Sequence, residues 1–412
     1  MKNRRTGFLA TLALVFGVAS CTVAKTPPTV EAKARELHKK ILTVDTHCDT
    51  AFGLLRPGWR IGDRHDPAQR GSGKIDLPRM VEGGLDAEFF AAFVGQGPRT
   101  PEGYAKAKER ALQVVEALYK MAEEYPTLVG LAFTPDDAYR LKRAGKRIAF
   151  IGMENGYPLG LDPSLVELFF QKGVRYITLV HSSDNDICDS ATDRRNPEDN
   201  GLSEFGRRVV AECNRVGMLV DISHASEKSF FDVLAASRAP IFASHSSARA
   251  VCDNSRNLSD DQLRALARKE GVIQICFLSA YVKKPDPNPE RDKAMQALQA
   301  KYGNLRESKD EALRQKAMAE REEINRLYPQ SQATVADLVD HIDHVRKVVG
   351  VDYVGLGTDF DGGGGVIGCD DVSGMIHVTE EMLRRGYSER EIEKVWGGNF
   401  MRVFRKTLAL RD

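Results

Sequence analysis

The tripeptide His47-Cys48-Asp49 closes the apolar run ILTVDTHCDT, and its residue types and spacing suit a metal site. Residues two apart on an extended strand share a face. An imidazole nitrogen and a carboxylate oxygen therefore project side by side, as two ligands of one divalent ion would. The same kinds of residue recur downstream at the ends of apolar runs: Glu154 in RIAFIGMEN, His181 in VRYITLVHS, His224 in MLVDISH, His245 in PIFASHS and Asp359 in YVGLGTDFDG. Four of the nine histidines occupy such positions, more than scattered structural histidines would give. The other five read plainly. His38 belongs to a helix before the first strand, His65 to a loop, His341 and His344 to one packing face of an outer helix, and His377 to a late helix or loop.

These ligands fill two metal sites. With Glu154 and one solvent hydroxide bridging two ions, His47 and Asp49 complete one site, and His224 and His245 the other. Each ion is then four-coordinate with nitrogen and oxygen donors, a set that suits zinc, with cobalt or manganese as substitutes. Such a centre lowers the pKa of bound water and stabilises the anion formed when hydroxide attacks a carbonyl. Asp359, outside that set, is the candidate proton shuttle.

Eight short apolar runs must carry these residues: 41–47, 85–94, 147–155, 174–182, 218–224, 240–246, 272–278 and 353–362. Several are nearly continuously apolar, as in strands buried on both faces of a parallel sheet. Helix-like stretches at 104–124, 164–172, 203–216, 227–236 and 259–269 alternate with them. The pattern predicts an α/β fold, a (β/α)8 TIM-type barrel with its chemistry at the C-terminal ends of the strands. A doubly wound sheet is disfavoured because no GxGxxG follows the first strand. Residues 283–331, rich in Ala, Glu, Lys and Arg, predict a solvated helical insertion between the seventh and eighth strands, within a single domain over 36–412. The run DFDGGGG lacks the features of a Walker or calcium loop, so its glycines are read as allowing close backbone approach beside the site.

The chain has 412 residues, 42% hydrophobic and 28% charged, with 59 Lys and Arg against 58 Asp and Glu. No overall field draws it to nucleic acid or an anionic membrane. Its seven cysteines include no CxxC pair, which argues against a zinc finger or thioredoxin-type motif. Residues 1–20 read as a secretory signal: Lys2, Arg4 and Arg5, an apolar stretch from Phe8 to Val18, then small residues. VASC resembles a bacterial lipobox with Cys21 as the lipidated residue, and 21–35 reads as a tether. The expected address is the outer membrane facing the periplasm, or the cell surface, with the lipid as the only membrane contact.

In order, HCD, IGMENG, TLVHSSDND, VDISHAS, IFASHSSARAVCDNSRN and GLGTDFDG resemble the successive signatures of the renal (membrane) dipeptidases, zinc peptidase family M19, over about 36–408. The resemblance implies a (β/α)8 barrel, two Zn2+ per chain and hydrolysis of dipeptides. It assigns His47 and Asp49 to one zinc, His224 and His245 to the other, and Glu154 to the bridge. It further assigns Asp359 to proton transfer beside the substrate, and His181 to binding substrate and stabilising the tetrahedral intermediate. Arg256 matches the arginine holding the substrate's C-terminal carboxylate, a planar two-bond pairing. Tyr281 falls where a substrate-contacting tyrosine is expected. Tolerance of a D-residue at the C-terminal position follows from the same resemblance.

The chain departs from the animal enzymes in the insertion and in the lipobox. Cys252 matches a disulfide-forming cysteine, but its partner's position holds Lys284, so that bridge is not expected. Two other functions remain open. One is a metal hydrolase acting on a lactone, cyclic amide or phosphoester, which would not need Arg256. The other is a substrate-binding lipoprotein, which would not need the acid Asp359. The expected partner is a dipeptide, with no nucleic acid, and a homodimer is compatible with this reading.

Overall fold

The computed structural model describes residues 28–69, 71–195, 200–303 and 310–411. The expected signal segment, Cys21 and the first part of the tether lie outside them. Among the described residues nine parallel strands form one sheet: β1 (Val44–Cys48), β2 (Ala87–Phe93), β3 (Val129–Leu131), β4 (Arg147–Glu154), β5 (Val174–Thr178), β6 (Leu219–Asp221), β7 (Phe242–Ser246), β8 (Val272–Cys276) and β9 (Val354–Gly357). Eight of them run in the order β1-β2-β4-β5-β6-β7-β8-β9. The ring is drawn together where Asp49 N donates to Phe360 O at 2.8 Å and Asp359 N donates to His47 O at 3.0 Å. The eight predicted runs supply these eight strands. Short β3, which pairs only with β4 outside the ring, is an addition to the expected set.

Helices begin where the sequence provides caps. Thr100 precedes Pro101–Glu124, and Ser226 precedes Glu227–Ala236. Reciprocal boxes pair Thr134 with Asp137, Ser259 with Gln262 and Thr334 with Asp337. The first helix, Val30–Lys40, starts inside the stretch read as a tether. That reading is corrected: Thr29 caps the helix, and Ala34 and Leu37 bury themselves, which gives 30–35 a folded place. The insertion is helical as expected, with Pro289–Tyr302 packed against Glu311–Leu327, and only Leu298 and Ala317 are buried along the two helices. Among the described residues, no helix is long and apolar enough to cross a membrane.

The lower barrel is filled by rings. Phe89 stacks on Phe150 at 4.5 Å and meets Phe400 of the last helix, Asn399–Ala409, at 5.2 Å. Tyr176 stands against Phe242 at 5.5 Å. Each such phenylalanine contributes about 1.5–3 kcal/mol by leaving water, and together they form a rigid floor beneath the polar upper end.

Candidate metal centre

The strand ends bring the sequence-predicted residues to one place. His47 lies in β1 and Asp49 just past it; Glu154 ends β4; His245 lies in β7. His181, His224 and Asp359 follow β5, β6 and β9 within three residues. Glu154 is the hub. Its Oε2 lies 3.6 Å from His47 Nε2, while its Oε1 lies 3.1 Å from His224 Nε2, 3.5 Å from His245 Nε2 and 3.7 Å from His181 Nε2. One oxygen thus faces His47 and the other faces His181, His224 and His245, an arrangement that leaves the carboxylate able to serve two ions. Donor atoms of His47, Asp49 and Glu154 lie within 4.8 Å of one another, as do those of Glu154, His181 and His224, and those of His47, His245 and Asp359. Distance alone does not separate His181 from the other histidines, but exposure does. Its side chain is 26% exposed, against 8% for His224 and 1% for His245, so it is the most accessible of the three.

A second layer, which sequence reasoning missed, orients these groups. Tyr176 Oη lies 2.8 Å from His47 Nδ1 and leaves Nε2 turned to the centre. Ser244 Oγ donates to Asp221 Oδ2 at 2.6 Å, so it is left to accept from His245 Nδ1–H at 2.8 Å. That selects the tautomer with an open Nε2 lone pair. Asp45 accepts from His47 N at 3.2 Å and Thr358 N at 2.8 Å, tying the first and last strands together. Its register neighbour is Glu88. Burial, then the nearby Asp45, pushes the Glu88 carboxyl well above its ordinary range. Gly152 leaves room for Tyr176, since a Cβ there would stand 2.1 Å from the ring's Cζ.

The electrostatics fit divalent cations. His47 Nε2 and Asp49 Oδ1 are buried with no hydrogen-bond partner, and the Nε2 atoms of His224 and His245 converge to 2.8 Å. Burial opposes charge on His47, yet Glu154, Asp49 and Asp359 raise its pKa to about 10, so the pocket demands positive charge. Burial, together with nearby cations, holds His224 and His245 well below the ordinary histidine range, which keeps their lone pairs free. Burial pushes the Glu154 carboxyl up, but His47 and His181 outweigh it and hold it well below its usual value. Left-handed φ values at Asn155 (72°), His224 (70°), Asp359 (59°) and Asp361 (65°) cluster around the same rim. Backbone strain of this kind persists where surrounding structure enforces it, as at functional sites.

Arg256 and Tyr281 adjoin the centre. Arg256 is 3% exposed, and its Nη2 donates to His245 O at 3.1 Å. Its guanidinium carbon stands 5.3 Å from the Tyr281 ring, and its Nε has no partner. No acidic side chain among the described residues pairs with it. Cys252 is a buried free thiol, and Cys48 packs into the apolar wall. His341 does more than pack: its Nδ1 accepts from Ala248 N at 3.0 Å and its Nε2 donates to Val282 O at 2.7 Å, joining the loops that carry Arg256 and Tyr281.

Buried histidines and carboxylates at the C-terminal mouth of a parallel barrel define a metal-dependent hydrolase of the (β/α)8 class. The family model for membrane dipeptidase (peptidase family M19) matches residues 31–412, and the chain belongs to that family. Dipeptidase tcpJ of Claviceps purpurea is 34% identical over 354 residues, covering 84% of this chain and 72% of its own. The probable dipeptidase PvdM of Pseudomonas aeruginosa superposes with a TM-score of 0.81 at 32% identity, covering 93% of this chain and 100% of that one. A metallopeptidase of Rhodobacter sphaeroides, liganded with a phosphinate mimic of L-Ala-D-Ala, gives a TM-score of 0.70 at 26% identity over 89% of this chain and 99% of its own.

Proposed function

We propose that the protein is a binuclear zinc dipeptidase cleaving dipeptides with a free C-terminal carboxylate, a D-residue being accepted at that end. His47 and Asp49 would hold one ion, His224 and His245 the other, with Glu154 shared between them. Metal ions bound there lower the pKa of water and polarise a carbonyl. The chain's residues supply the rest. Burial, opposed by His47 and reinforced by Glu154, raises the Asp359 carboxyl to about 7, where it can take and return a proton near neutrality. His181, the more accessible histidine, contacts the substrate carbonyl and the charge that develops on it. Tyr281 stacks beside the carboxylate clamp.

The observation carrying the dipeptide reading is Arg256, a residue buried at 3% exposure without an acidic partner among the described residues. A buried unpaired charge is costly, and a substrate carboxylate would balance it. Tolerance of a D-residue is supported by the L-Ala-D-Ala mimic bound to the Rhodobacter sphaeroides relative. The test is metal analysis with turnover of L-Ala-D-Ala, Gly-D-Xaa and L-L dipeptides, by wild type and Arg256→Ala. Two zinc ions per chain and a large KM rise in the variant are expected. Full activity on a genuine substrate after Arg256→Ala would instead favour the lactone, cyclic amide or phosphoester reading. We further propose an exported lipoprotein anchored through Cys21, tested by whether Cys21→Ser moves the protein from the membrane to the soluble fraction.

A further inference from the structure

The run DFDGGGG holds four glycines, and the structure separates their roles. Gly363 and Gly365 take a φ of 140°, a conformation that residues with a side chain disfavour. A Cβ on Gly364 would stand 1.8 Å from Thr358 O, against backbone. Gly362 is different. Its φ lies outside the left-handed region, and a Cβ there would meet two carboxylates, standing 2.1 Å from Asp359 Oδ1 and 2.4 Å from Asp49 Oδ2. One missing side chain thus leaves the space that the candidate proton shuttle and a candidate metal ligand share. Asp49 Oδ2 abuts the glycine, while Asp49 Oδ1, buried without a hydrogen-bond partner, is left for the centre. Asp359 Oδ1 lies 4.0 Å from His47 Nε2.

The turn that bears Gly362 is held in place. Gly362 N and Gly364 N donate to Asp359 O at 3.1 and 2.7 Å, and Gly365 N donates to Phe277 O at 2.9 Å. Asp361 accepts from Lys74 N at 3.0 Å and from Thr50 Oγ1, which ties the turn to the residue after Asp49. With the backbone fixed, an added methyl is accommodated by the carboxylates. Both atoms it meets are the ends of side chains, which rotate at little cost to the fold. To reach an ordinary contact of 3.4 Å, Asp359 Oδ1 must shift by more than about 1 Å. Misplacing a reacting group on that scale costs about 10²-fold in rate.

We propose that Gly362 is a positioning residue for the hydrolysis, holding the Asp49 and Asp359 carboxylates side by side where no larger residue would admit both. The inference rests on the dipeptidase reading, in which Asp49 holds an ion and Asp359 moves the proton. Gly362 acts through those two acids and touches no substrate. Its substitution therefore bears on the reacting centre and leaves the Arg256 clamp, beyond β7, as it is.

The test measures kcat and KM on the best dipeptide at saturating zinc, the thermal midpoint, and the crystal structure of the metal-free protein, for wild type and Gly362→Ala. We expect kcat to fall about 100-fold, with KM and the midpoint little changed, as for a group needed only at the reacting centre. The variant crystal should show the Asp359 carboxyl turned from the glycine. In an Asp359→Ala background the vacated space takes the methyl, and Gly362→Ala should cost about twofold or less. Retained kcat, an unmoved Asp359, an unfolded variant, or an undiminished loss in the Asp359→Ala background would each overturn the assignment while leaving the dipeptidase reading intact. Absence of turnover for every dipeptide would instead overturn the parent reading, and the Asp359 position in the variant crystal would still decide this one.

Discussion

Replacing Glu154 by Gln keeps the shape of the hub and removes its charge, so the consequence can be worked from distances. Glu154 Oε2 lies 3.6 Å from His47 Nε2, and both side chains are buried. At an effective dielectric constant of about 20, unit charges at that separation attract by about 4–5 kcal/mol. In the metal-free variant the His47 pKa should therefore fall from about 10 by about three units. In the metal-free wild type, the raised His47 pKa contributes stability present below its unfolded value of 6.5 and lost as pH rises through about 10. The variant should lose most of that contribution. A metal ion must displace the same proton, so the wild type's apparent metal affinity should rise with pH across neutrality. Imidazole NMR titration of the metal-free protein reads the pKa directly, and elemental analysis after metal loading reads the consequence for the centre. His47 still titrating near 10 in Glu154→Gln would refute the electrostatic argument. Two metals per chain with unchanged turnover would refute the bridging role.

Asp359→Asn should lower kcat by about 10²–10⁴ while metal content is retained. In wild type, kcat/KM should fall on the acid side with an apparent pKa no higher than about 7, because bound dications can only move this carboxyl downward. A pH–rate profile of the variant should lack that limb. Tyr176→Phe keeps the ring in the aromatic floor but deletes the 2.8 Å contact to His47 Nδ1. Metal affinity measured by chelator competition should weaken about 10–100-fold. An unchanged affinity would show that His47 needs no such support.

The barrel and its rim were legible because they rest on local signals. An apolar run ending in a chemical residue marks a buried strand opening on a site, and six of the eight runs carried that mark. Val129–Leu131 was missed because three residues around a glycine give too little periodicity to register. The helix around His38 was expected, but its start at Thr29, inside the stretch read as a tether, was hidden behind a run of small and polar residues. The supporting layer was illegible for a different reason. Tyr176 meets His47 across 129 positions of chain, and Asp45 meets Thr358 across 313. Neither pairing leaves a periodic trace. Arg79 is fully buried between Asp76 and Asp371, and a lone arginine in the sequence carries no sign of such burial. His341 looked like one of two helix-packing histidines, and only the fold reveals the two loops it joins.

The distribution of the candidate site residues along the chain bears on assembly. His47 comes from the first barrel strand and Asp49 from just past it, His245 from the sixth, and Asp359 from beyond the last, where hydrogen bonds with the end of β1 draw the ring together. The aromatic floor under His47 relies on Phe400, in the final helix. No contiguous half of the chain contains both a complete ligand set and the surface that orients it. Long-range contacts of this kind form late in folding. A nascent or truncated chain would offer scattered weak donors, and tight metal capture should appear only once the C-terminal helix has docked. Metal retention would then report a finished molecule, a kinetic checkpoint written into the order of the strands.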